Sequence, residues 1–435
     1  MFTDWFPPGS LRRIVAGNTL SQLIGRVVSS IAVVIVSLLI AKRYGPEGYG
    51  DFVKITTYVS FFYLISDFGL NAVYLQRTIG AVKARSAGTV RDWQLLLGLR
   101  IVVSLLLVCA AIGILSLLPS GVGQGYTMLV RIGVLMLVPV IIAQAVTTTT
   151  NAYYQQILRY DLSTIALNAG SISMLIVAVI LSIWSPVSGP YLGVLSVIAG
   201  SVVTAAIALG LVRSRLGTIR PIFSKTEFFS YLRTGAPLGL ALLFNLIYFH
   251  SDSVVLTLTR STREVGIYGL AYKIFELPLV FPIFFMNAVY PLLLHHAGQQ
   301  GSGQHKIFVR SFQLLLVSSL VVALGMWIGA PLVSLVRPDF AQAQEPLRIL
   351  ILGLPVFFVS ALCMWFLIAR KQQGILLVIH GIAMIGNIVC NSIFIPRYGM
   401  TAAAWITVAS ELFVLFASAF FVVKRFETDA HNLTL

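Results

Sequence analysis

Runs of about 20 apolar residues, divided by short polar connections, recur along almost the whole chain. Twelve are read, at 14–40, 52–75, 95–118, 127–150, 162–184, 190–212, 234–258, 265–294, 311–335, 346–369, 373–395 and 401–423. At about 1.5 Å per helical residue, each is long enough for a hydrocarbon core about 30 Å thick. Lipid tolerates no unpaired backbone, and ten-residue segments of alternating polarity are absent, so the runs predict helices rather than barrel strands. The expected fold is an all-α polytopic membrane protein with 12 transmembrane helices. The first run follows Arg12 and Arg13 but is longer than the apolar core of a secretory leader, and eleven more succeed it, so it is expected to remain in the mature protein.

Composition agrees: 58% of the 435 residues are apolar and only 10% charged. The net charge of +15 is spread over short connections beside the runs, which favours anionic membrane lipids over nucleic acid as its partner. With the N-terminus inside, same-side connections hold 18 Lys and Arg residues and opposite ones 6, which places both termini in the cytoplasm. The widest connections, 76–94 and 213–230, are too short for an enzyme domain. Cys109, Cys363 and Cys390 fall inside apolar runs without metal-ligand spacing and read as packing residues. No Gly-rich nucleotide loop occurs; neither a catalytic residue, a metal nor a cofactor is expected.

The tetrapeptide "NAVY" occurs at Asn71–Tyr74 and again at Asn287–Tyr290, 216 residues on, and Gly50 and Gly266 share the same offset. The common spacing marks a duplication. It predicts two parallel six-helix halves, 1–212 and 231–435, joined by the cytoplasmic linker 213–230 around a central cavity. Transporters built from such repeats bind substrate between the halves.

The stretches "GNTLSQLIGRVVS", "RYGPEGYGDF", "DFGLNAV" and "EVGIYGLAYKIFELP" resemble the polysaccharide and O-antigen flippases of the multidrug/oligosaccharidyl-lipid/polysaccharide exporter superfamily. The resemblance implies alternating access in the bacterial cytoplasmic (inner) membrane. Its cargo would be an undecaprenyl-pyrophosphate-linked oligosaccharide, an O-antigen, capsule or exopolysaccharide unit, moved from the cytoplasmic to the periplasmic leaflet. Polysaccharide polymerase and assembly proteins would be partners. Lipid II flippases have fourteen spans, so peptidoglycan precursor is not the expected cargo.

Ten charges lie within the runs: Arg26, Lys54, Arg100, Arg131, Lys273, Arg348, Asp67, Asp252, Glu276 and Glu411. At about 2.5–3.5 kcal/mol each on lipid, together roughly 30 kcal/mol, they must face cavities, partners or the interface. Arg26 continues the helical face Asn18, Gln22, Arg26, Ser29. A guanidinium there suits a pyrophosphate headgroup, or else an ion pair with Asp67 or Glu276. Asn18, Gln22, Arg26, Lys54 and Lys273 are the substrate-binding candidates; Asp67, Asp252, Glu276 and Glu411 are candidates for gating or for Na⁺ or proton coupling. Lys273 and Glu276, three apart, also suit a simple pair, and Lys54 is near enough to a span end to snorkel. Arg100, Arg131 and Arg348 read as snorkelling to headgroups, and Asn71 and Asn287 as symmetric bridges between helices. His380, Asn387 and Asn391 share one face, where packing is the simpler use. Rival readings are a multidrug exporter of the same superfamily, a membrane glycosyltransferase or polymerase, and an assembly scaffold.

Overall fold

The computed structural model describes residues 11–78, 88–121, 123–157, 159–184, 189–217, 219–296 and 303–434. The side chains of Asn18 and Gln22 lie outside the described residues, as do Lys83 and Arg85 of the 76–94 connection. Thirteen α-helices follow in order: α1 (Leu11–Ile65), α2 (Leu70–Thr78), α3 (Gly88–Leu117), α4 (Met128–Leu137), α5 (Val140–Gln156), α6 (Tyr160–Trp184) and α7 (Tyr191–Leu216), then α8 (Lys225–Thr259), α9 (Thr262–Glu276), α10 (Val280–His296), α11 (Gly303–Gly329), α12 (Gln344–Ala369) and α13 (Gln373–Thr434). Among the described residues, ten continuous helical stretches are long and apolar enough to cross a membrane. Large apolar side chains such as Leu117 and Ile328 stand exposed, as lipid contact requires and water would penalise.

Two of these stretches, of 54 and 55 residues, are more than twice the length a bilayer needs. Each has a glycine in the left-handed region near its middle, Gly45 at φ 69° and Gly399 at φ 62°. Both glycines end the tripeptide Arg-Tyr-Gly, at 43–45 and 397–399, with Pro46 directly after the first tripeptide and Pro396 directly before the second, so the sequence does mark these kinks. Span 2 is broken as well: α1 stops at Ile65 and α2 starts at Leu70, with Phe68 (φ 33°) and Gly69 (φ 73°) turning the chain. In the second half α9 and α10 are parted at Leu277–Leu279, and both copies of "NAVY" lie in the helix that follows a break.

The expectation of a purely helical chain needs one correction. Ser120–Gly121 and Gln124–Gly125 form a two-stranded antiparallel hairpin between α3 and α4. Gly123 and Gly125, both at positive φ, permit a turn this tight.

The chain divides into two compact units, one running to Tyr44 and over Asp51–Leu246, the other combining Gly45–Gly50 with Ile247–Leu435. In the first, α7 packs along α5 and α6, and α3 along α5. Gly170 and Gly200 bring α6 and α7 together so closely that a Cβ on Gly200 would sit 2.9 Å from the Gly170 carbonyl oxygen. Residues of the 213–230 connection belong to this unit too: the Ile222 N–H donates to the Gln94 carbonyl at 3.1 Å, and Gly98 leaves room for the crossing.

In the second unit, α12 is enclosed by α9, α10, α11 and α13. The repeated glycines meet here. A Cβ on Gly50 would lie 3.0 Å from the Gly266 nitrogen, one on Gly266 2.8 Å from the Gly50 nitrogen, and each would collide with a backbone carbonyl, of Thr262 and Pro46 respectively. Two backbones this close admit only hydrogen at the contact, so the spacing that marks the duplication is also a packing requirement.

Candidate functional site

In the first unit a cavity of about 420 Å³ opens among α1, α5, α6 and α7. Arg26 lines it, as do Gln144, Thr147, Asn151, Gln155 and Thr164. The Ser163 hydroxyl donates to Asn151 Oδ1 at 2.6 Å, and the Ser29 and Ser171 hydroxyls are 2.8 Å apart, so α1, α5 and α6 fix the wall. Among the described lining residues Arg26 is the one charged side chain, and it is exposed to the space. The volume falls in the small-molecule range of about 300–1,000 Å³. A guanidinium among hydroxyls and amides, without a carboxylate, favours an anionic or polyhydroxylated ligand.

The lining of α5 was not singled out above, although "TTTTN" at 147–151 is a conspicuous polar run within an apolar span. Thr147, Thr148, Thr149 and Thr150 each return a hydroxyl hydrogen bond to a backbone carbonyl three or four residues back, which makes them tolerable in a membrane helix.

The ion pair considered for Arg26 and Asp67 does not form; Asp67 is engaged by Arg100 instead. Arg100 is wholly buried, and its guanidinium also donates to Asn71 Oδ1 at 2.8 Å and to Thr149 Oγ1 at 3.4 Å. The expected snorkelling of Arg100 is thus overturned: the break at Phe68–Gly69 presents Asp67 and Asn71 to it from the start of α2. Symmetric bridging by the two asparagines fails for the same reason. At an offset of 216, Asp67, Arg100 and Thr149 become Ile283, Leu316 and Trp365, so the network that holds Asn71 has no counterpart at these positions. Asn287 is exposed.

Lys54 is buried and donates to the Gly125 carbonyl at 3.1 Å, tying span 2 to the hairpin rather than reaching the interface. Arg131 holds the same loop through the carbonyls of Tyr126, 3.0 Å, and Leu118, 2.7 Å. Burial pushes the Tyr126 hydroxyl well above its ordinary pKa, so it stays neutral against Tyr58.

A second polar cluster lies within the other unit. Asp252 accepts from the Tyr268 hydroxyl at 2.5 Å and from Thr407 at 3.4 Å. Glu411 accepts from Tyr248 at 2.9 Å and from Ser360. Beside them Ser251 donates to Asn387 Oδ1, and Asn391 Nδ2 donates to Asn387 Oδ1 at 2.7 Å and to Ser251 at 3.0 Å. Both carboxylates are buried, and among the described residues neither has a cationic side chain within ion-pair distance. The face His380–Asn387–Asn391 therefore does take part through its asparagines, while His380 packs edge-on to Tyr248. Lys273 and Glu276 form the expected i,i+3 pair at 2.8 Å, each about one third exposed, just before the α9–α10 break.

The arrangement is that of a polytopic helical membrane protein. The chain superposes on an inward-facing multidrug resistance MATE family transporter of the MOP superfamily with a TM-score of 0.75 at 13% identity, over 93% of this chain and 96% of that one. It superposes on the lipid II flippase MurJ in an inward closed conformation with a TM-score of 0.76 at 15% identity, over 94% and 89%. A MOP superfamily transporter from Pyrococcus furiosus, for which a reversed binding-pocket polarity suggests a different function, gives 0.66 at 14% identity over 97% of each chain. A model described as polysaccharide biosynthesis protein matches residues 15–296, well over half of the sequence, and the chain belongs to that family. A MatE model also matches residues 237–393. None of the curated proteins matches.

Proposed function

We propose that this protein is a flippase that carries a polyprenyl-pyrophosphate-linked oligosaccharide from the cytoplasmic to the periplasmic leaflet by alternating access. The observation that carries the reading is the Arg26 cavity, whose lining offers one cation and many hydroxyl and amide groups but no carboxylate among the described residues. Membership of a polysaccharide biosynthesis family supports the sugar-bearing cargo. We read the helices kinked at Gly45 and Gly399 as two crossings each, which is compatible with twelve spans and cytoplasmic termini, and take the polysaccharide assembly machinery of the bacterial inner membrane as the setting.

In this reading Arg26 grips a phosphate, as a guanidinium does through paired hydrogen bonds, and Asn18 and Gln22 extend its face. Lys273 and Glu276 serve as an exchangeable pair: either partner is accessible enough to leave the other when the cargo arrives. Asp67 has its charge committed to Arg100, and Lys54 its ammonium to Gly125, so both act by holding helix geometry. Asp252 and Glu411, buried among hydroxyls, are the groups we assign to a coupling proton or Na⁺. The membrane potential adds about 2.3 kcal/mol per charge per 100 mV towards moving a pyrophosphate outward.

A multidrug exporter would place its carboxylates where an organic cation binds. Here Asp252 and Glu411 are buried behind tyrosine and serine hydroxyls, which favours ion coupling over drug binding. In cells that depend on this protein for surface glycan, Arg26→Ala should abolish the glycan while the protein stays in the membrane, and Arg26→Lys should restore part of it. Normal glycan with Arg26→Ala would sink the reading and favour a scaffold.

A further inference from the structure

A second cavity lies in the second unit, at the end where α8 passes into α9 and α12 begins, and measures about 970 Å³. By the charge bias of the connections this is the side facing away from the cytoplasm. Its frame is built from fixed ion pairs. Arg260 pairs with Glu264 at 2.8 Å, and Glu264 also accepts the Met400 N–H at 2.7 Å, immediately after the kink at Gly399. Arg337 pairs with Asp339 at 2.7 Å and stands against the other kink, where a Cβ on Gly45 would lie 3.1 Å from its guanidinium. An ion pair thus stands against each kink of the long helices, and Arg260 and Glu264 of the first pair line the cavity.

Set against that frame is a group of side chains with hydrogen-bonding capacity to spare. Arg348 faces the cavity with no carboxylate in ion-pair distance among the described residues; its Nε is buried without a partner, and its guanidinium carbon lies 5.4 Å from the Trp327 ring centre. Gln342 and Gln344 line the same space, and no hydrogen bond of either side chain is formed among the described residues. Tyr398 and Trp405 present faces that are 65% and 50% exposed. Flat aromatic faces match the C–H faces of sugar rings, amides match vicinal hydroxyls, and a guanidinium matches a carboxylate. A bare phosphate would use only the last of these and would leave most of the volume empty.

We propose that this rim cavity binds a short acidic oligosaccharide, with Arg348 on the sugar carboxylate and Trp327, Tyr398 and Trp405 on the rings. The idea rests on the flippase reading for its purpose, a landing place for the glycan on the release side. Its test requires no transport. Purified protein in phosphatidylcholine nanodiscs should show tryptophan fluorescence quenching by trigalacturonate, with maltotriose at least about tenfold weaker, the factor expected of one charge-assisted hydrogen bond. Arg348→Gln should weaken trigalacturonate binding about tenfold with little change for maltotriose, and Trp405→Ala should weaken both. Gly113 lines neither cavity, and Gly113→Ala should leave all of these values unchanged; because quenching is read without transport, failure of this proposal is separable from failure of the transport reading. Absence of quenching by either sugar, or equal loss in Gly113→Ala, would overturn the rim site. So would abolition of trigalacturonate binding by phosphatidylglycerol in the disc, because the cavity would then be an anionic-lipid site.

Discussion

Asp67→Ala removes the one carboxylate that pairs with a fully buried Arg100. The guanidinium keeps Asn71 at 2.8 Å and Thr149 at 3.4 Å, but its Nε already lacks a partner, so no neutral group stands ready to replace the lost charge. Breaking a buried pair from one side costs about 3–5 kcal/mol; the Asp67 side chain is 31% exposed, so the pair is only partly enclosed and the figure falls to about 2–3 kcal/mol. Arg100→Leu should cost less, since it strands only the partly solvated partner. The double variant should recover most of the loss, because the second half of the chain already runs this position with Ile283 and Leu316. Reversible unfolding in mixed micelles, followed by far-ultraviolet circular dichroism, yields the four free energies of the cycle. The expected coupling is at least about 1.5 kcal/mol, with Asp67→Ala the worst of the three variants. Additive single effects, or an Asp67→Ala loss below about 0.5 kcal/mol, would refute the assignment of Asp67 to helix geometry.

Gly266→Ala should destabilise by about 1–3 kcal/mol or more, as its methyl meets the Pro46 carbonyl, whereas Gly113→Ala, with nothing within 4 Å, should be neutral or stabilising; thermal melts of the two variants in detergent check this. Lys273→Ala should alter stability by no more than about 1 kcal/mol because its pair with Glu276 is one third exposed, so a large fall in transport at normal folded yield would assign the pair to function. Asp252→Asn and Glu411→Gln should preserve folding, since the amide can still accept from Tyr268 and Tyr248, yet remove the dependence of transport on an imposed proton or Na⁺ gradient; gradient dependence unchanged in both would exclude the coupling role.

Helices were legible because lipid enforces them: any run long and apolar enough has no other way to satisfy its backbone. What escaped the pattern were events at single residues. The apolar run across Asp67–Gly69 hides a break that depends on Gly69 and on Phe68 accepting a positive φ. Arg100 was read by its distance from a span end, a measure blind to the carboxylate that the break delivers. The equal spacing of Gly50 and Gly266 was visible, and their mutual contact explains why both are glycine, but it says nothing of Asn287, whose counterpart is held by an arginine that position 316 lacks. Arg26 was singled out by its helical face alone. Its cavity was not, since Gln144, Asn151 and Thr164 come from two other helices.

The most direct test of the central claim uses proteoliposomes carrying a fluorescent polyprenyl-pyrophosphate oligosaccharide, with the fraction reaching the opposite leaflet read by a membrane-impermeant quencher. The protein should accelerate that transfer, Arg26→Ala should reduce it to the protein-free rate, and Arg26→Lys should lie between. Transfer no faster with the protein than without it, for any sugar-linked lipid tried, would contradict the account.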